Sequence, residues 1–287
     1  MTGFKILITG SGGQLGSEIR SLAPQFPAIE FTFTNRHQLK IDDSESIESY
    51  FAKNKFTHCI NCAAYTAVDK AEEEAEKAFL LNSSAVKNIA LACSASNVTL
   101  VHISTDYVFD GKAIDPYKEI DQTNPVNLYG ASKLEGERLA LLNNENTIII
   151  RTSWLYSVYG KNFVKTMMRL MNEKESIGVV ADQLGCPTHA RDLAATVLKI
   201  ITEHQLPAPG IYHYCNRGVI SWFQFATAIK EIIQSPCQVK AIRTDEYPTP
   251  AKRPFYSAFD TSKIQAVFGI AIPDWKDSLK ECISLMK

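Results

Sequence analysis

Phe4-Lys5-Ile6-Leu7-Ile8-Thr9-Gly10-Ser11-Gly12-Gly13-Gln14-Leu15-Gly16 is the stretch whose reading decides the fold. An apolar run short enough for one strand passes through glycines into Gln14–Leu22, whose apolar residues recur at helical spacing. Gly10, Gly13 and Gly16 recur every third position in this strand-turn-helix. Such glycines permit a tight turn and close backbone approach, so a dinucleotide diphosphate can rest on amides at a helix N-terminus. Gln14 and Leu15, inside the turn, join the three glycines as expected cofactor contacts.

Outward from this turn the pattern alternates. Strands are expected at Phe4–Thr9, Ile29–Thr34, His58–Cys62, Thr99–Ser104 and Thr147–Thr152, the last rich in β-branched residues as in a strand buried on both faces. Helices are expected between them at Gln14–Leu22, Ser44–Lys53, Ala71–Ser94 and Leu128–Leu142. This order implies an α/β protein with a Rossmann-like, doubly wound parallel sheet. The second half is less regular. Helical segments at Asn162–Asn172, Arg191–Glu203 and Ser221–Ile233 are separated by short strands at Gly178–Val180 and Ile211–His213. Tyr247 to Pro254, with three prolines, reads as an irregular surface segment. The expected division is a dinucleotide-binding domain over 1–152 with parts of 179–215, and a smaller substrate lobe over 153–178 and 216–287.

Bulk properties narrow the function. A net charge of −1 gives no electrostatic reason for a nucleic-acid or anionic-membrane partner. Seven cysteines without a disulfide rhythm fit a reducing cytoplasm. No signal-peptide pattern and no apolar run of membrane-spanning length occurs. Cys59 and Cys62 have C-x-x-C spacing but lie in an apolar strand with no second Cys/His pair, so they read as packed thiols and no metal is expected.

The end of the second strand selects the cofactor. A carboxylate there would hydrogen-bond a ribose 2′-hydroxyl and repel a 2′-phosphate. Thr34-Asn35-Arg36 offers no carboxylate, and Arg36 can pair with phosphate, which points to NADPH ahead of NADH. Asp42 and Asp43 fall where the adenine would be flanked.

Chemistry resides in Ser104-Thr105-Asp106-Tyr107-Val108-Phe109 and Tyr129-Gly130-Ala131-Ser132-Lys133. Tyr129 and Lys133 stand four apart, on one helix face. Gly130 and Ala131 leave room for a cofactor to approach that helix. A nearby ammonium favours the phenolate form of tyrosine, moving its pKa from about 10 towards the range of efficient general acids. Thr105 would hydrogen-bond the substrate oxygen.

With these residues the chain resembles the extended short-chain dehydrogenase/reductase superfamily, and within it the dTDP-4-dehydrorhamnose reductase family. The likeness also rests on Asn61-Cys62-Ala63-Ala64-Tyr65-Thr66-Ala67-Val68-Asp69-Lys70-Ala71-Glu72, Arg151-Thr152-Ser153-Trp154-Leu155-Tyr156, Asp182-Gln183-Leu184-Gly185-Cys186-Pro187-Thr188 and Thr249-Pro250-Ala251-Lys252-Arg253-Pro254. The resemblance implies Tyr129 as proton donor, Lys133 as its partner and Thr105 as the hydroxyl that tunes it. It places Ala63, Ala64 and Tyr65 on the cofactor, and Thr105, Asp106 and Trp154 on the sugar. Arg253 suits the sugar-nucleotide diphosphate, because a guanidinium reads phosphate oxygens in pairs. The implied reaction is hydride transfer from NADPH to C4 of dTDP-4-dehydro-L-rhamnose, giving dTDP-L-rhamnose for cell-surface polysaccharide, with a homodimer as the ordinary assembly. Some relatives keep an acid where Asn35 stands, which leaves NADH open. Some dimerise through a metal held by acidic residues; Glu18 is present here, but Arg191 replaces one of those acids.

The same superfamily hosts rival chemistries. Its dehydratases follow the Asp with Glu, whereas Tyr107 follows Asp106 here. Its epimerases recycle a tightly held NAD. A reductase for another 4-ketosugar nucleotide would also carry these residues, and a non-catalytic regulatory subunit could keep the fold.

Overall fold

The computed structural model describes residues 3–203 and 208–286; residues 204–207, inside the segment divided between the two expected domains, lie outside that description. The chain forms β1 (Lys5–Thr9), α1 (Gln14–Leu22), β2 (Glu30–Phe33), α2 (Ser44–Lys53), β3 (His58–Asn61), α3 (Ala75–Phe79), α4 (Ala85–Ala95), β4 (Thr99–Thr105), α5 (Leu128–Asn143) and β5 (Thr147–Thr152). Then follow β6 (Leu155–Tyr156), α6 (Phe163–Glu173), β7 (Ser176–Val180), β8 (Leu184–Gly185), β9 (Thr188–His189), α7 (Ala190–Glu203) and β10 (Gly210–His213). The chain closes with β11 (Ile220–Ser221), α8 (Trp222–Ile233), β12 (Gln238–Ile242), α9 (Ser262–Phe268) and α10 (Trp275–Ser284).

Six strands build one parallel sheet in the order β10-β5-β4-β3-β1-β2. The chain winds outward from β1 to β2 on one side and then crosses back to β3 on the other, so this switch point opens a crevice at the carboxyl ends of β1 and β3. Alternate side chains serve opposite faces. Ile6 and Ile8 pack with Leu15 and Ile19 of α1 and Leu193 and Val197 of α7. Leu7, Cys59 and Leu100 pack on the other face with α2, α4 and Ala140 of α5. A third apolar cluster joins α6, α8 and α10 to the parallel pair β7–β12. Among the described residues, no helix is long and apolar enough to cross a membrane.

Two expectations need correction. Ala71–Ser94 is not one helix: after a short turn at Lys70–Glu72 and α3, a π-turn at Leu80–Ser84 precedes α4. The wide turn brings Asn82 inward, where Oδ1 accepts from Tyr65 N at 2.8 Å and Nδ2 donates to Tyr65 O and the Ser132 hydroxyl, both at 3.0 Å. The proline-rich stretch is irregular, but it is not simply surface. Ala251 is fully buried, and the Lys252 carbonyl accepts from Asn127 Nδ2 at 2.7 Å.

The start of α5 is held from two sides. Asn127 Oδ1 caps Gly130 N at 2.8 Å, and Glu72 accepts from Leu128 N at 2.9 Å. Deeper along α5, Glu137 receives Arg151 of β5 in two-pronged contact, Nε at 2.9 Å and Nη2 at 2.7 Å, with both side chains almost fully buried. Removing one partner strands a charge in the core. Glu137→Ala is therefore expected to lower unfolding free energy by about 3–5 kcal/mol in a denaturant titration; a loss under about 1 kcal/mol would refute this anchoring.

Candidate active site

A cavity of about 690 Å³ lies along the carboxyl edge of the sheet. At one end it is walled by Gly10, Gly13, Gln14 and Leu15, with Asn35, Arg36 and Asp42 beyond them. At the other end stand Ala63, Ala64, Thr105, Asp106, Tyr129, Lys133 and Trp154. The glycine turn, Ala63 and Ala64, the end of β4 and the Tyr129–Lys133 pair therefore meet around one opening.

The glycine turn fits a dinucleotide diphosphate by its own geometry. Gly10 has φ of +63°, and a Cβ there would stand 2.6 Å from Ala63 N, so only glycine lets β1 and β3 close on each other. The N-cap of α1 is Gly13, with no side-chain cap, so the first amides of the helix are left for a ligand. Arg36 is exposed and Asp42 half-buried at the far end. Asp43 instead caps α2, accepting from Ser46 N at 3.2 Å, and Gly16 packs behind the turn against Ser11.

Tyr65 is buried and does not line the cavity. It supports the wall from behind, donating its hydroxyl to Glu74 at 3.0 Å and packing in one cluster with Tyr129. Gly130 does not make room for a cofactor either: a Cβ there would collide with the Tyr107 carbonyl, so the bare α-carbon seats the turn that follows β4. Tyr107, lining the cavity, meets Tyr129 edge-on at 5.5 Å.

Tyr129 is half-buried, and burial pushes its phenol up to about 12, opposed by a hydrogen bond from Thr105. Lys133 is almost completely buried, donates to the Ile103 carbonyl at 2.7 Å, and is pulled down to about 8 by that burial. The expected lowering of the phenol by a lysine ammonium is therefore not found: desolvation governs the phenol, and it is the lysine that moves towards neutrality. Asp106, buried beside Thr105, is raised to about 6 by desolvation.

Trp154 has φ of +47°, a region that costs a bulky side chain about 1–2 kcal/mol. The backbone is held there while the indole stacks on Trp222 at 3.5 Å and faces the cavity. Arg253 is not among the lining residues. Its guanidinium grips Asp69 with both Nη atoms at 2.8 Å and donates to the Ala251 carbonyl, near enough to Tyr107 for its charge to favour that residue's phenolate.

Residues not picked out from the sequence also contribute. Lys161 brings a cation to the cavity edge, on a loop whose Asn162 donates to Gln14 Oε1 at 2.9 Å. A hydrogen bond spanning so many residues leaves no local signal. Cys62 lines the cavity while Cys59 is fully buried, and burial raises the Cys62 thiol far above its ordinary range. Away from the cavity, His189, Asp192 and Glu281 bring one ligand-type atom each within 4.8 Å of one another. Arg191 lies 3.7 Å from both Glu18 and Glu281, so a guanidinium already supplies positive charge to these acids.

Gly10→Ala is expected to weaken dinucleotide binding by tenfold or more, roughly the effect of 1–3 kcal/mol of local strain, in a calorimetric titration. Unchanged affinity would show that the turn does not carry the ligand.

The comparisons with known proteins agree with this geometry. The family described as RmlD substrate binding domain matches residues 4–287. The dTDP-4-dehydrorhamnose reductase of Aggregatibacter actinomycetemcomitans is 41% identical over 285 residues, covering 96% of this chain and 97% of that protein. The crystal structure of a dTDP-4-dehydrorhamnose reductase from Clostridium acetobutylicum ATCC 824 superposes with a TM-score of 0.95 at 41% identity, covering 99% of each chain. One from Bacillus anthracis str. Ames, solved in complex with NADP, gives 0.94 at 36% identity, covering 99% of this chain and 100% of that one. On this agreement of sequence, fold and site, the chain belongs to the RmlD family, together with the dTDP-4-dehydrorhamnose reductases.

Proposed function

We propose that the protein is a cytoplasmic NADPH-dependent reductase that converts dTDP-4-dehydro-L-rhamnose to dTDP-L-rhamnose. The observation that carries this reading is the single cavity joining an uncapped helix N-terminus at Gly13 to the Thr105, Tyr129 and Lys133 cluster. In this reading the six-stranded sheet and its helices hold the dinucleotide, while residues 153–178 and 216–287 form the sugar-nucleotide lobe. Arg36 stands where a 2′-phosphate would be met, in place of the carboxylate that would reject it.

NADPH, when bound, supplies the hydride that reduces C4. The chain's own residues manage the proton and the position of the sugar. A phenol pushed up to about 12 keeps its proton at neutral pH, so Tyr129 is loaded to donate as negative charge develops on the C4 oxygen. An alkoxide is a stronger base than a phenolate, so the transfer runs downhill. Thr105, already bonded to that phenol, can steady the phenolate left behind. Lys133 adds positive charge whenever it is protonated, which holds below about pH 8. Trp154, braced on Trp222, gives the sugar a flat apolar wall. Arg253, fixed by Asp69, presents a preoriented guanidinium to the diphosphate. A homodimer is the assembly expected of it.

Loss of reduced-nicotinamide absorbance with dTDP-4-dehydro-L-rhamnose as substrate tests the assignment. Tyr129→Phe should cut kcat by about 10²- to 10⁴-fold with NADPH affinity nearly unchanged; retention of most of the rate would remove Tyr129 as the acid. Arg253→Ala should raise KM for the sugar nucleotide about tenfold and change kcat little. An equal fall in kcat with KM unaltered would place Arg253 outside substrate binding.

A further inference from the structure

Behind the cavity wall, a line of buried polar groups crosses the sheet from β1 to α5. Thr9 donates its hydroxyl to Asn61 Oδ1 at 2.6 Å, and the Ala63 backbone N–H donates to the same oxygen at 3.2 Å. Asn61 Nδ2 lies 3.0 Å from His102 Nδ1, and His102 Nε2 lies 3.3 Å from Lys133 Nζ. Asn61 and His102 are almost wholly enclosed.

The direction of each bond in this line is determined. A backbone N–H can only donate, so Ala63 fixes the Asn61 oxygen on its own side and leaves the amide NH₂ facing His102. That NH₂ can only donate, so His102 Nδ1 must accept. An imidazolium, or the Nδ1–H tautomer, would set two donors against each other in the core. The neutral ring consequently carries its proton on Nε2, the atom that faces Lys133. A protonated Lys133 has only donors to offer and would meet that N–H head-on. As a neutral amine it has a lone pair for Nε2–H, while its own N–H still reaches the Ile103 carbonyl.

We infer that His102 is a positioning residue of the reductase, held by Asn61 in the Nε2–H tautomer so that Lys133 can shed its proton in a buried site. The other groups facing Lys133 do not supply this. Glu137, on the same helix, favours the ammonium but is committed to Arg151 of β5, and Cys62, at the end of β3, also favours it. From the turn after β4, Thr105 and Asp106 act on Tyr129 rather than on Lys133. Burial of His102 keeps its pKa far below the usual histidine range, with Lys133 acting in the same direction. Burial pulls Lys133 down to about 8, and an N–H aimed at Nζ acts in the same direction as that burial.

The inference rests on the proposed partnership of Lys133 with Tyr129, yet its first test does not need turnover. In the full-length protein labelled with ¹⁵N-histidine, long-range ¹H–¹⁵N correlation should show His102 as the Nε2–H tautomer, unchanged through neutral pH. An Nδ1–H tautomer or an imidazolium there would overturn the inference, whatever the enzyme catalyses. His102→Gln puts an amide oxygen within reach of Nζ, an acceptor in place of a donor. In that variant the Lys133 resonance should titrate about one unit higher, and the alkaline limb of kcat/KM for reduction should move upward equally. If the folded variant titrates and turns over with the wild-type pH dependence, His102 serves only to fill space. Failure of Tyr129→Phe to lose activity would instead strike the reaction assignment and leave the tautomer result standing.

Discussion

Burial of Lys133 is the constraint around which the site is organised. An ammonium-bearing side chain is almost never fully enclosed unless its donors find partners. Here the Ile103 carbonyl accepts one N–H, while His102 faces the nitrogen from another side and favours its neutral form. For this to hold, α5 must sit at one depth and one rotation against the sheet. The Glu137–Arg151 pair, the Asn127 and Glu72 caps and the Asn82 bond to Ser132 each fix part of that placement. These contacts come from β5, the loop before α5, the turn before α3 and the π-turn. The helix that carries Tyr129 and Lys133 is therefore positioned by nearly every element around it.

The same enclosure orders the acid–base chemistry. Desolvation penalises a phenolate and an ammonium alike, so it pushes Tyr129 up and Lys133 down. The outcome suits reduction, in which the enzyme must begin with a proton on the phenol and end with charge shared in the site. An oxidation would need the phenolate first, and the enclosed phenol resists that. Thr105 is the one neighbour whose hydrogen bond opposes the upward push on Tyr129, which makes the end of β4 a tuning element as well as a wall.

The frame was legible because it is local. Gln14–Leu22, Ser44–Lys53 and Thr147–Thr152 begin and end where periodicity, the Asp43 cap and a β-branched run place them. The glycine turn and the i, i+4 pair Tyr129–Lys133 are likewise short-range patterns. Interactions between distant segments were not legible. The π-turn interrupts a pattern that reads as continuous helix, because its cause is a bond from Asn82 to Tyr65 across 17 positions. β12 is mostly exposed and exists through its pairing with β7. Arg253 reads as a free cation until Asp69 is seen beside it, and His102 reads as strand filling until Asn61 gives it a direction. The helix α10, with its Asp274 cap and amphipathic spacing, carried a local signal and still went unassigned in the sequence.

The claim at the centre is a direct transfer of hydride to the sugar's C4, with a proton from the protein completing the alcohol. Turnover of dTDP-4-dehydro-L-rhamnose with NADPH dideuterated at the nicotinamide C4, followed by NMR of the sugar, reads that step atom by atom. The account requires dTDP-L-rhamnose carrying deuterium on C4 and nowhere else on the ring. Unlabelled product, label at another carbon, or recovery of unreduced ketosugar would contradict it.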